Sequence, residues 1–335
     1  MKKPMISICI PTYNREKYLN TAISSVIDQV NKNYKDLLEM CISDNCSTDG
    51  TERLVKKWIK KSPIPIFYKK NKKNLGLDQN FLNVADMTHG EYCWFLSSDD
   101  AFESDAINVA IRKIKENPEI DLFVLNDNAY DTTLKKKMTS PPFKKFREGN
   151  YCFENPLEVI KKATSRIGYV SILIFKKKIW IKEKGYKEFI GSVYVHVYIL
   201  FCAIKRGAKV MFNSDPVVKH RLGNDLAEMS LNVYKRRELD IKGFYDISAK
   251  VFGEYSKEQK VIINALFSTI INRFMIAGIK LKRDRELTKK MYSMLFKYYK
   301  RFPKFWITVV PFMLVPTFAY EFAAKTFYKK LYQKF

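Results

Sequence analysis

Residues 93–102 read CWFLSSDDAF. The segment runs through aromatic and aliphatic side chains, as a buried strand does, and then stops on two adjacent carboxylates, Asp99 and Asp100. Two acids side by side repel each other. Such an ending either caps the following helix, ESDAINVAIRKIKEN (103–117), with an acid near its positive end, or sets oxygen ligands around a cation. The neighbouring elements bear on the choice.

Upstream, residues 5–10 form a short Ile-rich apolar run that ends at Pro11. Beyond it Tyr18, Leu19, Ala22, Ile23, Val26, Ile27 and Val30 fall on one face at helical spacing. LLEMCIS (37–43) then predicts a strand and TDGTERLVKKWIKK (48–61) a helix capped at Thr48 or Asp49. IPIFYKK (64–70), LDQNFLNVADMT (77–88) and EYCWFLSS (91–98) continue as strand, helix and strand. This alternation predicts an α/β fold: a Rossmann-like, mostly parallel sheet with helices on both faces. Ligands of such sheets bind beyond the carboxyl ends of the strands. Three strand ends carry candidate residues: Pro11-Thr12-Tyr13-Asn14, Asp44-Asn45 and Asp99-Asp100. There, two carboxylates can share a Mn or Mg ion, whose charge removes their repulsion and can clamp a diphosphate.

The chain has 335 residues, of which 47% are hydrophobic and 14% aromatic, which excludes a disordered tail protein. Lys and Arg number 60 against 35 Asp and Glu, a net charge of +25 that calls for an anionic partner: nucleic acid, anionic lipid or a phosphorylated substrate. Cysteines 9, 41, 46, 93, 152 and 202 form no CxxC pair or metal-finger spacing, which suits a reducing compartment. The first apolar run is too short for a signal peptide, so no secretion signal is expected.

Three stretches in order, ISICIPTYNREKYLNTAISSVIDQ (6–29), CISDNCSTDGTERLV (41–55) and NKKNLGLDQNFLNVADMTHGEYCWFLSSDD (71–100), resemble family 2 glycosyltransferases of the GT-A fold. They are most similar to the abequosyltransferase-like group, which adds sugars to bacterial surface polysaccharides. The resemblance implies an inverting, metal-dependent enzyme using a nucleotide-sugar donor, with Asp44 leaning toward a uridine base. It implies that Pro11, Thr12 and Tyr13 line the nucleotide pocket, that Asp44 meets the base, and that the Asn74-Leu75-Gly76 turn closes over the nucleotide. Asp99 and Asp100 would serve ribose, metal and diphosphate, with Asp100 the expected ligand and Asp99 facing ribose or sharing the ion. Ser97 stands where many relatives carry another acid.

Inverting relatives place a base in an acidic pair; the matching stretch here, FIGSVYVHVYILFCAIKRG (189–207), has no acid. It offers His196, since a neutral imidazole can take a proton near neutral pH. The competing reading is a core histidine with a satisfied hydrogen bond. Asp127, after DLFVLN (121–126), is the fallback base. His220 and Arg221 follow SDPVVK (214–219), where related enzymes close a basic segment over the donor diphosphate; a guanidinium fork suits phosphate, and a plain surface loop is the alternative. His89, in the THGEY turn, reads as structural.

TTLKKKMTSPPFKKFREGN (132–150) reads as a solvated loop. From residue 226 only helical periodicity remains, in 232–252, 258–283 and 286–302. The expected organisation is a catalytic domain over 1–225, a helical region over 226–301, and a basic, aromatic membrane-interface segment over 302–335. From Lys282 onward there are 13 basic and 3 acidic residues. FWITVVPFMLVPTFAY (305–320) is uncharged and carries Pro311 and Pro316. A spanning helix needs about 20 apolar residues without such breaks, so this stretch reads as an element lying in an anionic leaflet. A closing core helix or an oligomer contact is the alternative. The expected partners are a nucleotide-sugar donor, a lipid-linked glycan acceptor and the cytoplasmic face of the inner or plasma membrane, and not nucleic acid, for which no recognised motif is found. A catalytically degenerate nucleotide- or sugar-binding scaffold is the rival reading.

Overall fold

Seven consecutive buried residues, Ile6–Thr12, form β1, a strand covered on both faces as its unbroken apolar character requires. In the computed structural model, which describes residues 3–138, 151–223, 233–269, 276, 280 and 283–327, this strand is central to the sheet. It pairs in parallel with β2 (Leu38–Asp44), from Ile6 opposite Leu38 to Thr12 opposite Asp44. On its other side lies β4 (Tyr92–Phe95), also parallel, while β3 (Ile66–Lys70) extends the sheet beyond β2. β4 leaves β1 after Phe95, before the position of Pro11, so the missing proline N–H costs no ladder bond there. Helices α1 (Glu16–Ile27), α2 (Thr51–Lys61) and α3 (Leu77–Asp86) provide the crossovers. The starts of α1 and α2 exchange carboxylates: Asp49 accepts the Glu16 amide at 3.0 Å, and Glu16 accepts that of Gly50 at 3.1 Å. Each acid thus meets the positive end of the other helix. The α2 cap lies one residue later than the sequence suggests, at Gly50, with Asp49 accepting from Thr51 N.

The acidic pair does not cap the next helix. A two-residue strand, β5 (Ala101–Phe102), follows it directly, and α4 (Ala106–Glu116) starts only after Asp105. Next come β6 (Leu122–Tyr130), β7 (Tyr151–Phe153), α5 (Pro156–Ala163), β8 (Leu173–Lys176), α6 (Lys177–Ile181), α7 (Val195–Lys205) and β9 (Val210–Arg221). The nine-stranded sheet has the order β3-β2-β1-β4-β8-β6-β9-β5, with β7 also on β9. β8 runs antiparallel between β4 and β6, and β9 runs parallel to β6 with register shifts around Asn126. Those shifts let one long strand serve two neighbours: β7 pairs with its first half, and β5 pairs at Lys219 and Val218. The end of β9 is thereby carried to the acidic pair.

The chain falls into two compact units, Met1–Leu226 and Ala227–Phe335. The second unit contains α8 (Val233–Phe252), α9 (Lys257–Thr269), α10 (Arg285–Tyr299), α11 (Pro303–Thr308), α12 (Val310–Leu314) and α13 (Thr317–Phe327). Its core includes Phe244, Ile263, Leu295, Tyr299 and Phe305. Asp284 caps α10 by accepting from Leu287 N at 2.9 Å. Among the described residues, no helix is long and apolar enough to cross a membrane. Most of the loop expected at 132–150, parts of the helix expected at 258–283, and the basic tail from 328 lie outside the described residues.

Candidate active site

Asp99 and Asp100 have different surroundings. Asp100 is buried, and its Oδ2 accepts the Tyr169 hydroxyl at 2.6 Å and the Ser171 hydroxyl at 2.7 Å. Its Oδ1 accepts the main-chain N–H of Arg221 at 3.0 Å. Asp99 keeps 16% of its side chain exposed, with an Arg15 guanidinium nitrogen 3.9 Å from Oδ2. Burial and the charge of Asp100 push the Asp99 carboxyl up to about 6, against the opposing pull of Arg15. The sequence reading took Asp100 as the metal ligand, with Asp99 facing ribose or sharing the ion; in the structure Asp100 is held by three donors and Asp99 is the more exposed of the two.

Arg221 joins this pair to β9. Its Nε donates to the Asp99 carbonyl at 2.6 Å, and its guanidinium lies 4.8 Å from the centre of the Tyr18 ring and donates to the Thr132 carbonyl. Next to it, His220 stacks on Tyr169 with ring centres 4.2 Å apart and turns Nδ1 toward Asp127 Oδ2 at 3.2 Å. Asp127 also accepts from Arg166 at 2.8 Å and is 1% exposed. Burial raises the Asp127 carboxyl, but the hydrogen bond from His220 and the charge of Arg166 outweigh it, so its pKa is lowered. For His220, burial lowers the pKa, and the hydrogen bond to Asp127 and the charges of Asp100, Asp127 and Asp99 outweigh burial and raise it. Three carboxylates thus stand among Arg15, Arg166, Arg221 and a histidine biased toward its charged form.

The nucleotide side is set by β1, β2 and the turn before α3. Pro11 and Thr12 are buried, Tyr13 is half-buried, and Thr12 Oγ1 is a buried hydroxyl without a hydrogen-bond partner among the described residues. Asp44 is fully buried and accepts from the Tyr68 hydroxyl at 2.6 Å and Ser47 N at 2.8 Å. Asn45 holds the Asn74-Leu75-Gly76 turn: it donates to Asn74 Oδ1 at 2.6 Å and accepts from Leu75 N at 2.9 Å. Gly76, at φ +80° and ψ 167°, occupies a region essentially reserved for glycine. Behind the turn, Asp78 accepts the amides of Gly191, Val193 and Val195 at 2.7, 2.8 and 3.0 Å, which fixes the start of α7.

His196 does not join the acidic cluster. It lies on α7, where nearly every side chain is buried, and is 2% exposed. Its Nε2 is 3.3 Å from the Gly168 carbonyl, and its ring packs 5.4 Å from that of Phe81. Burial lowers its pKa to about 4. These are the surroundings of a core histidine. His89, expected to be structural, has its N–H at 2.6 Å and its Nδ1 at 3.1 Å from the buried Glu39.

Sequence reasoning missed Arg15, Arg166, Tyr169, Ser171 and Asp78, and named Asn45 only as part of a strand end. Arg15 was legible in principle, as the cation next to the PTYN strand end. Arg166, Tyr169 and Ser171 come from TSRIGYVSI (164–172), which folds as short 3-10 turns and has no period to read.

The sheet order and the clustered strand ends define a GT-A glycosyltransferase, and the glycosyl transferase family 2 model matches residues 7–178. The chain belongs to that family and is a transferase. It is 34% identical over 233 residues to the abequosyltransferase RfbV of Salmonella typhimurium, covering 67% of this chain and 68% of that protein. It is 35% identical over 114 residues to the GalNAc(5)-diNAcBac-PP-undecaprenol beta-1,3-glucosyltransferase of Campylobacter jejuni, covering 34% of this chain and 35% of that one. Among solved structures, S. aureus TarS 1–349 in complex with UDP-GlcNAc matches with a TM-score of 0.61 at 17% identity, over 90% of this chain and 82% of that one. The Pyrobaculum calidifontis mannosyltransferase in complex with GDP-Man and Mn2+ matches with a TM-score of 0.55 at 17% identity, over 99% and 88%.

The residues present fit a divalent cation. Asp99, whose carboxyl is raised by burial and by the charge of Asp100, is an oxygen donor whose repulsion from its neighbour a cation relieves, while the Asp100 oxygens are engaged by Tyr169, Ser171 and Arg221 N. Among the described residues no group of three or more His, Cys, Asp and Glu surrounds one point, so water and substrate phosphate oxygens would complete its shell.

Proposed function

We propose that this chain is an inverting, metal-dependent glycosyltransferase that moves a sugar from a nucleoside diphosphate donor, of the UDP class, to a lipid-linked glycan acceptor at the cytoplasmic membrane face. The observation that carries this reading is the convergence of the ends of β4, β6 and β9 on one point: Asp99 partly exposed, Asp100 locked behind it by three donors, and His220 and Arg221 beside both. Carboxylates next to cations at strand ends suit a ligand that pairs a diphosphate with a metal. Asp99 would hold a Mn or Mg ion, which when bound supplies charge to the departing diphosphate. Asp100, with three donors on its oxygens, keeps its neighbour and Arg221 in register. His220, held by Asp127 and biased toward its charged form, adds positive charge beside the diphosphate. Asp127, both of whose oxygens are engaged, fits this positioning role better than that of the base.

On the nucleotide side, Pro11, Thr12 and Tyr13 would flank the base and ribose, with the free Thr12 hydroxyl as a contact, and the Gly76 turn would cover them. Asp44 meets Tyr68, so its effect on the base runs through that pair. The lipid-linked acceptor is supported by the name of the Campylobacter relative, an undecaprenol-linked glycan transferase.

Calorimetric titration of UDP, GDP and dTDP, with and without Mn, on the wild type and on Asp99→Ala tests the reading. Metal-dependent binding of one nucleotide, lost in the variant, is the expected result. Absence of binding to all three would overturn it.

A further inference from the structure

The second unit buries a core around Phe244, Ile263, Leu295, Tyr299 and Phe305, but from α10 onward it leaves a group of large apolar side chains exposed. Among the described residues, six of the nine exposed large hydrophobic side chains lie between 296 and 322: Phe296, Trp306, Ile307, Leu314, Phe318 and Phe322. Ile307 and Leu314 are 75% and 76% exposed, and Phe318 and Phe322 are 71% and 68% exposed. A folded chain in water rarely leaves so many large side chains open within one short stretch.

The exposure is built in. Pro311 and Pro316 divide this region into helices of 6, 5 and 11 residues. The carbonyls freed at the break are answered locally: Lys280 Nζ donates to Met313 O at 2.6 Å and to Val315 O, and the Tyr292 hydroxyl donates to Met313 O at 2.8 Å. Trp306 is held by its Nε1 donating to Lys300 O at 2.7 Å and by an edge contact with Phe296. Phe318 and Phe322 are four residues apart on α13 and so share a face.

Beside this face is a groove of about 900 Å³ between α10 and α13, which Phe296 and Phe318 line with four cations, Lys280, Arg283, Arg285 and Lys289, and two acids, of which Glu321 pairs with Arg283 and Asp284 caps α10. Arg283 is tied to Glu321, which leaves Arg285 and Lys289 exposed on the first turns of α10. Further exposed cations, Lys297, Lys300 and Arg301, follow on the same helix and just past its end.

The geometry points to a monotopic docking surface for an anionic bilayer: the aromatic-aliphatic edge of α11–α13 enters the headgroup layer, and the groove cations meet lipid phosphates. Charge complementarity selects this occupant, because an apolar edge bordered by cations matches a surface whose apolar interior lies beneath negative headgroups. Helices this short cannot cross a core about 30 Å thick, so they lie along its surface in the headgroup layer. The inference deepens the proposed function by naming how a lipid-linked acceptor is met, and its test needs neither donor nor acceptor, so its failure leaves the transferase reading standing.

The test is co-sedimentation of the full chain with vesicles of phosphatidylglycerol and phosphatidylcholine in equal parts, and with phosphatidylcholine alone. The expected result is partition to the anionic vesicles that weakens as salt rises. The double variant Arg285→Glu/Lys289→Glu weakens it by at least ~30-fold, the worth of two cations at about 1 kcal/mol each near such a surface. Phe318→Glu/Phe322→Glu abolishes it, with thermal melting curves showing that both variants fold. Failure of the wild type to bind anionic vesicles, or equal binding by folded variants, overturns the inference. So does a concentration-dependent dimer that the Phe variants dissolve and that binds no vesicle, since the face would then be a contact between copies.

Discussion

The main-chain N–H of Arg221 donates to Asp100 Oδ1 at 3.0 Å, across 121 residues of sequence. Because it is a backbone donor, the bond depends on where β9 ends rather than on which side chain stands at 221. The acidic pair is therefore positioned by strand register, and the register shifts around Asn126 are what bring β9 to it.

The two acids should respond differently to substitution. Asp100→Ala leaves Tyr169 OH, Ser171 OH and Arg221 N without their acceptor in a buried place, which should cost roughly 2–4 kcal/mol. Asp99→Asn removes a carboxylate that burial and Asp100 disfavour, so stability should stay level or rise by about 1 kcal/mol. Urea unfolding in the presence of a chelator separates the two. Metal-dependent nucleotide binding should fall at least ~10-fold in Asp99→Asn although the fold is intact.

His196 gives a sharper test, because it was the residue the sequence offered as base. Held neutral by burial with a pKa near 4 against an ordinary 6.5, it contributes stability above about pH 6.5. Below that, the unfolded chain binds a proton the folded one refuses, and up to about 3 kcal/mol is lost as pH falls toward 4. His196→Gln should flatten this part of the stability curve and leave kcat within about threefold, whereas loss of a general base costs ~100-fold or more. Unfolding midpoints from pH 4 to 7, read beside turnover, decide it.

The sequence was most legible where side-chain period and strand ends agree. From Ile6 to Phe95 the alternation of apolar runs and amphipathic helices leaves one architecture, and three strand ends mark the cleft. The second half of the sheet was less legible, because β8 is antiparallel and β9 serves several partners through irregular register, neither of which leaves a periodic trace. The surroundings of His196 follow a related rule: a helix apolar on all sides is a buried one, and a polar residue within it is held by the core. Tyr169, Ser171 and Arg166 stayed hidden in 3-10 turns that propensity does not mark.

Asp78 should matter more to structure than its place on a helix suggests. It accepts three backbone amides leading into α7, each a charge-assisted bond, while burial raises its pKa against those donors. Asp78→Ala should cost about 2–4 kcal/mol, and Asp78→Asn less, because one amide oxygen can still accept. Hydrogen exchange should show lost protection at Gly191, Val193 and Val195 specifically. Unchanged exchange there would assign the loop's order to something other than this carboxylate.

His220 and Asp127 make the last prediction. The histidine is raised by its hydrogen bond to Asp127 and by the surrounding carboxylates, so it stays protonated to a higher pH than a free imidazole. Its charge contributes stability that is present below the ordinary pKa of 6.5 and is lost as pH rises through the folded value. If that charge serves a diphosphate, His220→Gln should weaken nucleoside diphosphate binding on the order of 10-fold and leave a nucleoside monophosphate nearly unaffected. Asp127→Asn should shift the same loss to lower pH, since it weakens the hold on the proton and leaves the ring in place. Equal losses for mono- and diphosphate would mean that His220 supports the pocket through its stacking on Tyr169 and that the diphosphate contact falls to Arg221.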